Sequence, residues 1–379
     1  MTKSTNIKSI ALVANSTWNI YNFRQNLIDR FIKEGYEVFV IAPVDEYISY
    51  REKYSEVRHF NLRMMDRDGT NPFRDILLVL EMIRRYRKLS PDVVLHFTNK
   101  PNIYGGIAAK IAGVKSIAVV TGLGHAFINN GLTKSIMEWL YRQTGMLHEK
   151  FIFENADDRA LFIQLKIISE SKSISVKGCG VDTEYFKQST APKSAENIIF
   201  TFIGRLLYDK GIREFVSAAR IIKAKHPEVQ FWVVGELDDD NPSTVDRDEL
   251  VRWIDQDTII YQGFHKDIRP IINESNCIVL PSYREGLPRT ILEAMSMSRP
   301  VITTDTAGCR ETVDEGLNGY LVPIKDVDAL AVAIQKIIDL TPEERTNMGI
   351  QGREKVLKEF NDQLIADNIF NIVQKAINN

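Results

Sequence analysis

The feature that most constrains the fold is an alternation. Short β-rich apolar runs and helical patterns follow one another along the whole chain, a rhythm that builds parallel sheets from βαβ units. In the first half the strand-like runs are Ser9–Ala14, Glu37–Ile41, Val57–Phe60, Val93–Phe97, Ser116–Val120 and Lys150–Phe153. Between them lie helical patterns at Tyr21–Lys33, Pro72–Lys88, Ile103–Ala112 and Lys134–Met146. Asn71-Pro72 supplies an N-cap and a first-turn proline, and Ser90-Pro91 closes that helix. Around Lys177–Glu196 the pattern dissolves into Gly, Asp, Thr, Ser, Pro and Lys. A second series then begins, with runs at Ile198–Ile203, Val229–Val234, Thr258–Tyr261, Cys277–Leu280, Val301–Thr303 and Tyr320–Val322, and a helical tail from Thr341.

With 379 residues the chain has room for two such domains. The expectation is α/β: two Rossmann-like, doubly wound parallel-sheet domains in tandem. They cover residues 1–180 and 195–359, with a linker over about 177–196 and a helix over about 360–379 returning to the first. Sheets of this kind bind ligands outside the carboxyl ends of their strands, so a central cleft is expected between the domains.

Composition narrows the class. A hydrophobic content of 44% and a charged content of 26% are those of a globular chain with a sizeable core. Residues 1–190 hold 26 Lys and Arg against 20 Asp and Glu, and the remainder 22 against 30, so the halves carry opposite charge. Cys179, Cys277 and Cys309 form neither a CxxC nor a zinc spacing, which favours a reducing compartment without disulfides. Ile10–Ala14 is too short for a signal-peptide core. No apolar run reaches the ~20 residues of a membrane helix.

The densest chemistry lies in Pro281-Ser282-Tyr283-Arg284-Glu285-Gly286-Leu287-Pro288, which follows an apolar run and opens a helix that carries Glu293. Gly286 permits a close approach of backbone, and Pro288 suits the first helical turn. The free amides and positive end of such a helix form a site for a diphosphate. Glu285 and Glu293 then flank the anion, one placed to accept hydroxyls of a sugar and the other of a ribose. By themselves the two acids fit equally well a capping carboxylate and a solvated helix residue. Gly204-Arg205 and Lys210-Gly211 stand at the end of another strand-like run, where a guanidinium fork and an ammonium can neutralise a diphosphate leaving group.

Together these residues resemble the donor-site signature of glycosyltransferase family 4, a retaining family of the GT-B fold. Pro300-Val301-Ile302, Ala307-Gly308-Cys309-Arg310-Glu311 and Asn318-Gly319 match its downstream pattern. Asn22-Phe23-Arg24, Asn99-Lys100-Pro101-Asn102, Thr121-Gly122-Leu123-Gly124 and Asp239-Asp240-Asn241-Pro242-Ser243 resemble one branch of it. That branch holds CapM-like capsule enzymes and N-acetylgalactosaminyltransferases of bacterial lipid-linked glycan assembly.

The resemblance implies retaining transfer from a UDP-sugar to a polyprenyl-diphosphate-linked saccharide, with no metal and no cofactor. Arg205 and Lys210 would hold the diphosphate, while Glu285, with the amides of Gly286 and Leu287, would bind the donor sugar. Glu293 would bind the ribose, and Gly204 would admit the phosphates. Where many members carry a loop histidine this chain has Leu123; His125 is the nearest substitute and the candidate for that role. Asn15, Ser16, Thr17 and Lys100 are candidates for the acceptor side. The resemblance also implies a cytoplasmic enzyme that contacts the membrane peripherally.

Other signals are weaker. Gly122-Leu123-Gly124 lacks the third glycine of a dinucleotide fingerprint, since Phe127 stands there, and no Walker lysine motif occurs. Asp238-Asp239-Asp240 reads as a solvated loop rather than a metal site. Arg84, Arg85, Arg87 and Lys88 suit a helix carboxyl end. With Arg58, Arg63, Arg67 and Arg74 they also make a candidate membrane-facing patch, and Ile136, Trp139 and Leu140 beside Lys134 and Arg142 a candidate apolar counterpart. No nucleic-acid partner is expected. The competing functions are a UDP-N-acetylglucosamine 2-epimerase-like isomerase on the same fold and a non-catalytic sugar-nucleotide binder.

Overall fold

A computed structural model describes residues 8–66, 69, 71–124, 131–188, 198–239 and 241–378. They form two compact units, one from Met1–Cys179 and Asp362–Asn379, the other from Gly180–Asn361.

The first unit is built on β1 (Ser9–Val13), β2 (Glu37–Ile41), β3 (Arg58–Phe60), β4 (Val93–Phe97), β5 (Lys115–Val120), β6 (Lys150–Phe153) and β7 (Ser173–Ser175). Every pairing is parallel, in the order β3-β2-β1-β4-β5-β6-β7. β1 and β4 are buried along their whole length, because helices cover both faces, and so they read as unbroken apolar runs. β7, a polar Ser-Ile-Ser, was not anticipated; three residues with one apolar side chain carry no periodicity.

Two helical expectations change in detail. The run Tyr21–Lys33 forms two helices, Thr17–Phe23 and Gln25–Lys33, broken at Arg24 (φ −126°, ψ 4°). There the guanidinium turns inward, 3.2 Å from Glu154 and over the ring of Phe97 at 4.2 Å. The tail breaks as well. The helix Pro342–Lys355, started by a Thr341/Glu344 capping box, widens at Val356–Phe360 and stops at Asn361. The helix Asp362–Asn378 then buries Ile365, Ile369, Phe370 and Val373 in the core of the first unit, where Phe370 meets Phe31 with ring centroids 5.4 Å apart.

The second unit has β8 (Ile199–Ile203), β9 (Gln230–Val234), β10 (Ile260–Gly263), β11 (Cys277–Leu280), β12 (Val301–Thr304) and β13 (Gly319–Val322). They are parallel in the order β10-β9-β8-β11-β12-β13. Val181 and Phe186, inside the stretch expected to be linker, are buried in this core.

The topology places the sites. In the first unit the winding reverses between β1 and β4, in the second between β8 and β11. Loops leaving two such neighbours run to opposite sides and open a crevice at their carboxyl ends.

Candidate functional site

In the second unit the loops after β8, β11 and β12 are tied into one framework. Gly211, at φ +75°, lets the 208–211 turn close on Pro281, whose carbonyl oxygen a β-carbon there would meet at 2.0 Å. Tyr283 donates its backbone N–H to the Asp209 carbonyl at 2.9 Å, and the Ser282 hydroxyl donates to the same oxygen at 3.2 Å. From the other side Gly308, at φ +77°, brings the 305–311 loop onto Glu285 and Gly286; a β-carbon would stand 2.5 and 2.4 Å from their carbonyl oxygens. Glu285 donates its N–H to the Ala307 carbonyl at 3.2 Å, and the hydroxyls of Thr304 and Thr306 donate to the Ser282 and Tyr283 carbonyls. Side chains on these loops are therefore held by backbone contacts that tolerate little movement.

The two most emphasised residues meet on this framework. Lys210 Nζ lies 2.5 Å from Glu285 Oε1, an ion pair that is 24% and 13% exposed. Its members come from the loops after β8 and β11, at the switch point. Cys309 sits beneath them, its thiol pushed up to about 12 by burial and by the charge of Glu285. Arg205, just beyond Gly204 at the end of β8, is more exposed and pairs with Asp238 at 2.5 Å. Gly286 and Leu287 follow Glu285 in the turn, and Leu287 packs against the core.

The helix is Arg289–Ser296, so Pro288 is its N-cap (φ −73°, ψ 100°) rather than a residue of its first turn. The Pro288 carbonyl accepts from the amides of Ile291 and Leu292 at 3.1 and 3.2 Å. The aligned peptide dipoles put the positive end of this helix beside Glu285. Glu293 is no solvated residue. It is only 7% exposed, its carboxyl is pushed up by burial, and the Arg289 guanidinium opposes that shift from 2.8 Å.

The acidic run after β9 is paired: Asp238 with Arg205, and Asp239 with Arg247 at 2.7 Å. Asp240 lies outside the described residues. Among the described residues no three His, Cys, Asp or Glu side chains gather as a metal centre requires.

The acceptor-side candidates stand at the switch point of the first unit. Asn15, Ser16 and Thr17 follow β1; Lys100 follows β4. Ser16 caps the helix Thr17–Phe23, its hydroxyl accepting from Asn19 N at 3.2 Å, and the buried Thr17 hydroxyl donates to Asp45. Asn15 Oδ1 accepts from Ser16 at 3.5 Å. Lys100 pairs at 2.8 Å with the buried Asp75, which also accepts from Tyr104 at 2.7 Å. His125 lies outside the described residues; Leu123 is fully buried.

Sequence reasoning overlooked three groups here. Asp238 was seen only as part of an acidic run, and nothing in its spacing announces Arg205, 33 positions away. Arg289 was readable, since it stands four residues before Glu293 on one helix face. Thr98, at φ 72° where β-branched residues rarely sit, ends β4 with its hydroxyl oxygen buried and unbonded. No local sequence signal marks such strain.

Known proteins match both units. Residues 9–155 match the family described as Glycosyl transferase 4-like, and residues 197–339 that described as Glycosyl transferases group 1. The N,N'-diacetylbacillosaminyl-diphospho-undecaprenol alpha-1,3-N-acetylgalactosaminyltransferase of Campylobacter jejuni is 25% identical, over 98% of this chain and 99% of the relative. The UDP-Gal:alpha-D-GlcNAc-diphosphoundecaprenol alpha-1,3-galactosyltransferase of Escherichia coli is 27% identical over 76% of each. The solved structure of Anabaena HepE in complex with UDP superimposes with a TM-score of 0.77 at 18% identity, covering 97% of this chain and 100% of that one. Such a likeness speaks for the fold, which is GT-B. Matched in both units, the chain belongs to the group 1, family-4-like glycosyltransferases.

Proposed function

We propose that this enzyme moves a sugar, an N-acetylhexosamine, from a UDP-linked donor to a saccharide carried on polyprenyl diphosphate, with retention at the anomeric carbon and without a metal ion. The observation that carries the reading is the Lys210–Glu285 pair at the switch point, beside the amino end of the helix Arg289–Ser296. In the reaction the bond from the anomeric carbon to the β-phosphate oxygen breaks. A bond to the acceptor hydroxyl oxygen forms on the same face, and the hydroxyl proton passes to the departing diphosphate. Charge grows on that diphosphate as the bond opens. Lys210, Arg205 and the helix amides are donors aimed at it, the kind of fixed electrostatic support that lowers such barriers most. Glu285 accepts hydroxyls of the sugar, and Glu293 those of the ribose.

The relatives support the substrate class. Both carry diphospho-undecaprenol in the names of their acceptors, while the sugar transferred differs between them. The N-acetylhexosamine therefore follows the Campylobacter jejuni enzyme, which matches nearly the whole chain. Capsule or O-antigen assembly is the setting that such acceptors suggest.

A lipid-borne acceptor asks for a membrane contact. Among the described residues no helix is long and apolar enough to cross a bilayer. The helix Pro72–Leu89 instead exposes Phe73, Ile76, Leu77 and Leu80 on one face, continued by the exposed Arg84, Arg87 and Lys88. This is the apolar and cationic pattern of a helix lying in an anionic interface, and we place the peripheral contact there.

Incubating the protein with UDP-N-acetylhexosamines and following UDP release, with and without a polyprenyl-diphosphate-linked saccharide, tests the reading. Acceptor-dependent release is expected. A sugar changed without UDP release would make the protein an isomerase; nucleotide binding without turnover would make it a binder. Lys210→Ala should lower turnover by about 10²–10³, as loss of one transition-state donor does elsewhere, and Glu285→Ala should lower it by about a hundredfold, because the sugar hydroxyls lose their charged acceptor. Wild-type turnover in either variant would overturn the site.

A further inference from the structure

We propose that Arg289 is a positioning residue of the donor site: paired with Glu293 one helical turn on, it keeps that carboxylate in the form that accepts ribose hydroxyls. The inference rests on the reading of Glu293 as the ribose contact.

Arg289 breaks a local rule. It is the first residue of its helix, where the aligned peptide dipoles disfavour a cation and favour an acid, and the first turn holds no acid. A residue set against its local preference is expected where function demands it. What offsets the conflict is the ion pair with Glu293, at 2.8 Å and i,i+4 spacing, with side chains 27% and 9% exposed.

Glu293 needs that partner. Burial favours its neutral acid, and beyond the first turn the helix end gives little help. Among the described residues, Arg289 is the one cation whose charge acts on it. The helix Pro342–Lys355 meets this one where Gly352 faces Met295; its Arg353 bonds the Ser296 carbonyl at the far end, and its Lys355 pairs with Asp314, while the turn Val356–Phe360 that follows carries Lys358, which is exposed. β11 contributes Cys277, a buried thiol held neutral. β12 contributes Thr303 and Thr304, which do not titrate here.

The chemistry follows from counting lone pairs. An ionised carboxylate accepts from both hydroxyls of a ribose, whereas a protonated one gives up an acceptor position and offers a donor instead. Hydrogen bonds to the charged form are roughly twice as strong. Arg289 thus acts on the nucleotide through Glu293.

Calorimetric titration with UDP from pH 5 to 8 tests this, using wild type, Arg289→Met, Arg289→Lys and Glu293→Gln. Arg289→Met should weaken UDP binding about tenfold at pH 7.5. Its affinity should also fall with acidification about one pH unit earlier than that of wild type. Arg289→Lys should restore most of both. Glu293→Gln should be weak at every pH, because it has no proton to gain. If Arg289→Met follows the wild-type profile while Glu293→Gln binds weakly, the role of Arg289 is refuted and the ribose reading stands. If Glu293→Gln binds UDP as wild type does, both are refuted. Arg289→Gln makes the same prediction should the methionine variant not fold.

Discussion

At φ +77°, Gly308 holds a left-handed conformation that costs a residue with a β-carbon about 1–2 kcal/mol before any contact is counted. Here the contacts are worse than the conformation. The added carbon would stand 2.4 Å from the Gly286 carbonyl oxygen and 2.5 Å from that of Glu285, both backbone atoms that cannot rotate away. Gly308→Ala therefore has to push the 305–311 loop off the segment that aims Glu285 at Lys210. The expected result is a drop in UDP-sugar affinity of at least about tenfold, larger than the fall in melting temperature by a few degrees would account for. Calorimetry beside a thermal melt measures both. Wild-type UDP-sugar binding in a folded Gly308→Ala protein would show that the loop does not set the position of Glu285. The charged residues of this site were legible in the sequence because their types announce chemistry. Their partners were not, because Asp238 reaches Arg205 and Cys309 reaches Glu285 only through the register of separate loops.

Among the elements, the helix Pro72–Leu89 is unusual in being apolar on two sides. Leu78, Met82, Ile83 and Tyr86 are buried against the sheet, as any covering helix requires. Phe73, at 80% exposure, and Ile76, Leu77 and Leu80 face outward, and packing within the unit gives no reason for them. Burying an exposed side chain of this size is worth about 1.5–3 kcal/mol, and each cation near an anionic surface about 1 kcal/mol. Phe73→Ser with Leu77→Ser should thus cut binding to anionic phospholipid vesicles by about a hundredfold or more. UDP affinity should be unchanged, and stability within about 0.5 kcal/mol, because both positions are exposed. Equal co-sedimentation of variant and wild type would move the membrane contact elsewhere. The boundaries of this helix were readable from Asn71-Pro72 and Ser90-Pro91. Its outward face was not, since a stripe at helical spacing looks the same whether it meets a sheet or a lipid surface. The break at Arg24 escaped for a related reason. A buried guanidinium is justified only by Glu154, 130 positions away, and by the ring of Phe97.

Across the whole molecule, two α/β units were legible because buried parallel strands must be apolar runs and their crossovers must be helices. The path of the chain was harder to read. Val181 and Phe186 belong to a core although their surroundings look like linker, and burial of single residues in irregular segments leaves no periodic trace. The first unit also contains three histidines that the fold keeps neutral. His148 accepts at Nδ1 from Ser116 Oγ (2.9 Å) and donates from Nε2 to the Asn102 carbonyl (2.8 Å); His96 bonds Tyr86 through Nε2 at 2.9 Å. The two rings lie 5.5 Å apart under Gly105 and Gly106. Burial lowers His148 and His59 to about 4, and His96 well below its ordinary value. In the unfolded chain a histidine titrates near 6.5, so below that pH the unfolded state binds more protons than the folded one. The stabilisation is whole above about pH 6.5 and shrinks by about 1.4 kcal/mol per pH unit for each such histidine as the pH falls toward 4. Glu154 acts in the opposite sense. Burial raises its carboxyl, so the folded state takes up that proton first, but one carboxyl offsets only part of what three imidazoles lose. The second unit contains none of these three residues. Hydrogen exchange followed segment by segment at pH 7 and pH 5 should therefore show protection falling more in the first unit than in the second. His148→Gln, which keeps a polar side chain without a titrating ring, should lessen that difference. Equal loss of protection in both units would mean that these rings are charged in the folded state, and that the packing under Gly105 and Gly106 does not keep protons out.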